Sequence, residues 1–214
     1  KHSSGRPAEI CCANKELQRV VADFIIEFFD SHPDAERICV NAEDEPSYWC
    51  ECEACKALDT AEIDWEENGV ECADLTDRWM HFINEVAAMV GERHPDKYIA
   101  TFAYGSTRET PRKVLPRRNV MIELTWWDQC FKHAMDDPAC EVNAKGMQRF
   151  RDWSRLAPVA LYRYLDYHHL ESPQVFFCAE ADILRQTHAG GCRHLSDEWH
   201  TTFTASPLPL NLRA

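Results

Sequence analysis

Tyr98-Ile99-Ala100-Thr101-Phe102-Ala103-Tyr104, closed by Gly105, is the stretch on which the fold turns. An uncharged run of apolar and aromatic residues, with little alternation, predicts a strand buried on both faces, as in a parallel sheet. Just before it, over residues 73–93, Leu75, Trp79, Phe82, Ile83, Val86 and Val90 recur at spacings of three and four. That is the period of an amphipathic helix, and His94-Pro95-Asp96 ends it.

The same alternation extends outward in both directions. Upstream, residues 16–30 put Leu17, Val20, Val21, Phe24, Ile25, Phe28 and Phe29 on one helical stripe, and Arg37-Ile38-Cys39-Val40-Asn41 follows as a short strand. Residues 42–71 read as a long polar loop with a cysteine cluster and a short helix. Downstream, Asn119-Val120-Met121-Ile122-Glu123-Leu124 is a strand reached without an intervening helix. An amphipathic piece over 145–156 precedes the strand Val159–Tyr164. A helix over 173–188 stops at Gly190-Gly191, before a strand-like run over 192–195.

Strands alternating with helices predict an α/β chain with a parallel sheet. The expected fold is a TIM-barrel-like (β/α) barrel, incomplete because about five strands are too few to close it. A doubly wound sheet is the alternative, but no Gly-rich phosphate fingerprint follows any strand. The barrel domain is expected over 1–205, with 206–214 as a Pro-rich tail or the start of a linker. Beginning at Lys1, the 214 residues read as a piece of a longer protein.

A net charge of −13 argues against nucleic acid as a partner, because phosphate neutralisation needs clustered Lys and Arg. No run approaches the roughly 18 apolar residues of a membrane span. The 11 cysteines point to an oxidising compartment or a metal. The expected location is extracellular or periplasmic, with any signal peptide outside this sequence.

In a β/α barrel the chemistry gathers at the carboxyl ends of the strands. Those positions carry acids and rings here: Asn41, Asp44, Tyr48 and Trp49; Tyr104; Glu123, Trp126 and Trp127; Asp166 and Tyr167; Glu198 and Trp199. Glycosidic cleavage needs a proton donor and an ionised carboxylate, and flat rings suit sugar faces. Glu123 and Glu198 are the expected acid/base and nucleophile, with Asp166 or Asp44 positioning. Asn41, Tyr48, Trp49, Tyr104, Trp126, Trp127, Tyr167 and Trp199 are the expected sugar contacts. The partner implied is a polysaccharide or oligosaccharide, and catalysis of this kind requires no cofactor. Singly, each acid is as readily a solvated loop residue, and each ring a core residue.

Cys50-Glu51-Cys52-Glu53-Ala54-Cys55 crowds three sulfurs into a polar loop. Disulfides among Cys50, Cys52, Cys55, Cys130 and Cys140 are the first reading. A structural zinc held by Cys50, Cys52, Cys55 and His133 is the second. Cys11, Cys12, Cys39 and Cys178 read as core thiols.

The run Trp49–Leu58 around that cluster is similar to the signature of a bacterial family, domain of unknown function 4838. So are Phe82-Ile83-Asn84-Glu85-Val86-Ala87, His94-Pro95-Asp96-Lys97 with Ala103-Tyr104, and Cys130-Phe131-Lys132-His133 with Cys140, Asn143 and Trp153. The resemblance runs from about Cys11 to Trp199. It implies a barrel distantly related to glycoside hydrolases of the α-glucuronidase type, in secreted multidomain proteins with a further N-terminal domain. The family supplies no catalytic pair to carry over, and Tyr167-His168-His169-Leu170 departs from its pattern.

Overall fold

The first helix starts where Asn14 caps it: the side-chain oxygen accepts the Glu16 and Leu17 N–H groups at 2.9 and 3.1 Å, satisfying donors that the helix itself cannot. The computed structural model describes residues 10–42, 49–60, 63–67, 70–126, 129–164 and 177–198. Along the chain the elements are α1 (Lys15–Ser31), β1 (Arg37–Cys39), α2 (Glu53–Lys56), β2 (Ile63–Glu67), β3 (Val70–Ala73) and α3 (Thr76–Arg93). Then come β4 (Tyr98–Ala103), a 3-10 turn (Gly105–Thr107), β5 (Val120–Trp126), α4 (Glu141–Ser154), β6 (Val159–Tyr164), α5 (Phe177–Ala189) and β7 (Leu195–Glu198).

Five strands form one sheet in the order β1-β4-β5-β6-β7, every pair parallel. Strand order follows chain order without the reversal that marks a doubly wound sheet. The sheet is therefore singly wound, and it curls like part of a barrel. Arg37 on β1 reaches Glu123 on β5 over the intervening β4. Phe102 on β4 meets Tyr162 on β6 over β5, with ring centroids 4.9 Å apart.

Alternate residues of β4, β5 and β6 face the helices. Ile99, Val120, Ile122, Leu124, Trp126, Val159 and Leu161 form the main core with residues of α1, α3 and α4. The opposite, concave face carries a small cluster of Ala100, Met121 and Ala160, with Tyr98 packed against it. Every residue of β5 is buried, which explains why its sequence shows no alternation.

Two differences from expectation concern this frame. Residues 42–71 are not all loop, since β2 and β3 pair as an antiparallel hairpin between β1 and α3. The helical stripe of α1 is also wider than its buried face. Ala22, Ile25 and Phe29 pack inward, whereas Val20 and Phe24 stand 58% and 65% exposed.

The β4–β5 connection contains the 3-10 turn and no α-helix. It is braced from α3, where the buried Asp77 carboxylate accepts the N–H groups of Arg112, Lys113 and Val114 at 2.9, 2.8 and 2.6 Å. One helical turn pair further along, Asn84 donates to the Leu115 carbonyl and accepts from the Arg117 N–H. Asn84 thus serves as a second brace for this connection.

Candidate functional site

Parallel order places the carboxyl ends of all five strands at one end of the sheet, and successive residues on each strand alternate faces. On the concave face Phe102, Glu123 and Ala160 lie in register. Thr125, Tyr162 and Ser196 lie in the next layer toward the carboxyl ends, and the backbone register continues with Tyr164 opposite Glu198.

Glu123 is 4% exposed. Its Oε1 lies 3.4 Å from Arg37 Nε and accepts from the Cys39 thiol at 3.5 Å. Cys39 is therefore not a core thiol as expected. It is solvent-exposed and sits against a carboxylate, and desolvation by the atoms packed around it, followed by the Glu123 charge, pushes its pKa up to about 11. Glu123 lies within β5 and not at its end, because the strand continues to Trp126.

Glu198 ends β7 opposite Tyr164, four residues beyond Ala160, the partner of Glu123. That offset is about 13 Å along the strand direction. The two carboxylates expected to act as a pair thus stem from different layers.

Asn41 follows β1 and its side-chain oxygen accepts the Phe102 N–H at 2.9 Å, extending the β1–β4 ladder. Tyr104 is half-buried just after β4. Two expected platforms are packing residues instead. Trp126 is 3% exposed, its indole pressed over Gly146 of α4. Trp49 is 7% exposed, edge-on to Trp79 at 6.0 Å and beneath the Arg78 guanidinium. Asp44, Tyr48, Trp127, Asp166, Tyr167 and Trp199 lie outside the described residues.

Among the described residues, six of the cysteines fall into two groups that could hold a metal. Cys11, Cys50, Cys52 and Cys55 bring four sulfurs within 4.8 Å of one another. Cys11 Sγ lies 3.7 Å from Cys52 Sγ and 3.6 Å from Cys55 Sγ. Cys11 is thus no core thiol. The N–H of Cys55 points at Cys52 Sγ at 3.4 Å and, as the largest of several hydrogen bonds, lowers the Cys52 pKa to about 7. Burial pushes Cys55 up to about 12.

Arg78 of α3 holds this loop from inside. It donates to both oxygens of Asp59, at 2.7 and 2.5 Å, and to the Cys50 carbonyl at 2.9 Å.

The second group is Cys130, His133 and Cys140, in the connection from β5 to α4. Cys130 Sγ lies 3.3 Å from His133 Nδ1. The fully buried Asn143 accepts the Cys130 N–H and donates to the carbonyls of Cys130, His133 and Ala134. His133 therefore belongs to this group and not to the first. Cys50, Cys52, Cys55, Cys130 and Cys140 carry free thiols in this structure.

Blocks around both groups agree with a wider pattern: residues 2–178 match the family model described as Domain of unknown function (DUF4838). The chain belongs to this family. No curated protein matches it. Among solved structures it is similar to the catalytic domain of Thermobifida fusca endoglucanase Cel5A (E5), at 14% identity with a TM-score of 0.40. The match covers 58% of this chain and 40% of that one.

For this DUF4838 chain, the described residues include no helix long and apolar enough to cross a membrane. Sequence reading missed Cys11, Arg37, Arg78 and Asp77 as site-building residues. Only Cys11 carried a signal, since thiols placed just before a polar N-cap are as suited to ligation as to packing.

Proposed function

We propose that this domain acts on polysaccharide or oligosaccharide at the carboxyl-end face of its curled sheet, as a glycoside hydrolase. The observation that supports the reading is the parallel, unreversed strand order, which puts the carboxyl ends of five strands on one side, and in sequence the acids and rings follow those ends. Hydrolysis there takes one carboxylic acid to protonate the leaving oxygen and one carboxylate to stabilise or attack the anomeric carbon, with water completing the exchange. Glu198 and an acid following another strand, Asp166 after β6 or Asp44 after β1, take these parts. Glu123 sits deeper and positions from below through Arg37. The sugar-facing rings are then Tyr104, Trp127, Tyr167, Tyr48 and Trp199.

That chemistry needs two carboxylates and water and no metal. The metal for which the cysteine groups are suited is then structural, and zinc by the softness of its donors. A glycan substrate goes with an extracellular or periplasmic setting.

One observation favours a second reading. Glu123 is buried in an ion pair with Arg37, an arrangement that also suits a barrel that binds glycan without cleaving it. Both readings are tested by one polysaccharide panel, scored for gel retardation and for new reducing ends. A hydrolase releases reducing ends and loses that release, while keeping retardation, in Glu198→Gln. A binding barrel is retarded without release, before and after the substitution. A protein that shows neither is outside both readings.

A further inference from the structure

We propose that Cys11, Cys50, Cys52 and Cys55 form a tetrathiolate zinc site that fastens the segment before α1 to the loop after β1. The inference deepens the structural-zinc reading above and fixes its ligands.

Geometry carries it. A tetrahedral zinc with Zn–S bonds of about 2.3 Å sets its sulfurs about 3.8 Å apart. The separations from Cys11 to Cys52 and to Cys55 are 3.7 and 3.6 Å, and all four sulfurs lie within 4.8 Å. A disulfide would need about 2.05 Å. The ligands come from two distant stretches: Cys11 just before the Asn14 cap, and the other three at and beside the short α2.

The surroundings suit an anionic centre. Four thiolates and a divalent zinc leave two negative charges. The Cys55 N–H aimed at Cys52 Sγ offsets part of that charge. The buried Arg78 cation of α3, held against Asp59 and the Cys50 carbonyl, lies against the same loop. Cys50 and Cys55 are buried and Cys52 is exposed, so the site is closed on its inner side and reachable by a chelator from the other.

The test reads zinc and thiols, not glycan, so it stands apart from the fate of the hydrolase reading. Purified protein is alkylated with N-ethylmaleimide before and after exposure to a chelator, and labelling is followed peptide by peptide. Cys11, Cys50, Cys52 and Cys55 should be protected together and become labelled together, with one equivalent of zinc released. Cobalt in place of zinc should give the intense visible bands of a tetrahedral thiolate complex. Cys52→Ser, at the exposed ligand, should lose one equivalent of zinc relative to the parent. Peptides joined by disulfides at these positions, labelling unaffected by chelator, or iron with a coloured cluster in place of zinc would each overturn the proposal.

Discussion

Arg37 Nη1 lies 3.1 Å from His194 Nδ1, joining the first strand of the sheet to the residue before its last. In a flat sheet these strands would stand four spacings apart, about 19 Å, far beyond one arginine. The contact therefore exists only because the sheet curls. The same guanidinium pairs with Glu123 at 3.4 Å, so one side chain ties β1 to both the middle and the far edge of the concave face.

Removing that cation leaves a buried carboxylate alone. Arg37→Met should lower stability by about 3 kcal/mol. Adding Glu123→Gln should return part of the loss, because the uncompensated charge is then gone. Urea denaturation of both single variants and the double variant checks this. Simple additivity would contradict it.

Cys39 provides a probe of the same carboxylate. With its thiol pushed up to about 11 by desolvation and by Glu123, little thiolate exists near pH 8, and alkylation should be slow. Glu123→Gln removes the anion and lowers the thiol pKa, so the rate at Cys39 should rise by about threefold for each unit by which that pKa falls, the gain in thiolate outweighing its lower nucleophilicity. Mass spectrometry of the Cys39 peptide measures the rate, and an unchanged value would count against the contact.

How much of this was legible in the sequence differs by region. The strand Val159–Tyr164 appears at its expected bounds, and α3 ends at Arg93 as expected. Long apolar periods leave few alternatives there. The β2–β3 hairpin was hidden by its acidity, since Ile63-Asp64-Trp65-Glu66-Glu67 reads as polar loop. Asn68-Gly69 between the strands is nevertheless a strong two-residue hairpin signal. The last strand is Leu195–Glu198 and not 192–195, because its polar residues pair along an edge and carry no apolar pattern. Trp126 and Trp49 could not be sorted from sequence at all. An aromatic ring beside a strand faces a helix or the mouth depending on register, and a single residue of shift exchanges the two.

Asp77 should govern the acid limb of stability. Burial alone would raise its pKa, but the Thr60 hydroxyl and the backbone N–H groups of Val114, Arg112 and Lys113 outweigh that and hold it below the ordinary carboxylate value. A depressed folded pKa contributes stability that is complete above the unfolded value of about 4. That stability is lost as pH falls through the folded value. Asp77→Ala should cost about 2–4 kcal/mol near neutrality, and its stability should decline less than the parent's below pH 4. Parallel acid titrations followed by circular dichroism would show a common slope if Asp77 is not responsible.

Gly146 is required by the ring it faces. A Cβ there would lie 2.4 Å from Trp126 Cζ2, so α4 rests directly on the indole. Gly146→Ala should destabilise by about 2 kcal/mol or more through overpacking and alter the near-ultraviolet signal of the tryptophans. A variant as stable as the parent, with an unchanged spectrum, would mean that Trp126 is free to move and could still serve as a sugar platform.

On the proposed function, glycan is handled at the carboxyl ends of β1 and β4–β7. A crystal structure of the protein soaked with an oligosaccharide drawn from whichever polysaccharide retards it tests this most directly. Sugar rings beside Tyr104 and the residues following β5, β6 and β7 are the predicted result. Sugar bound only at the opposite end of the strands or on the helical exterior would contradict it.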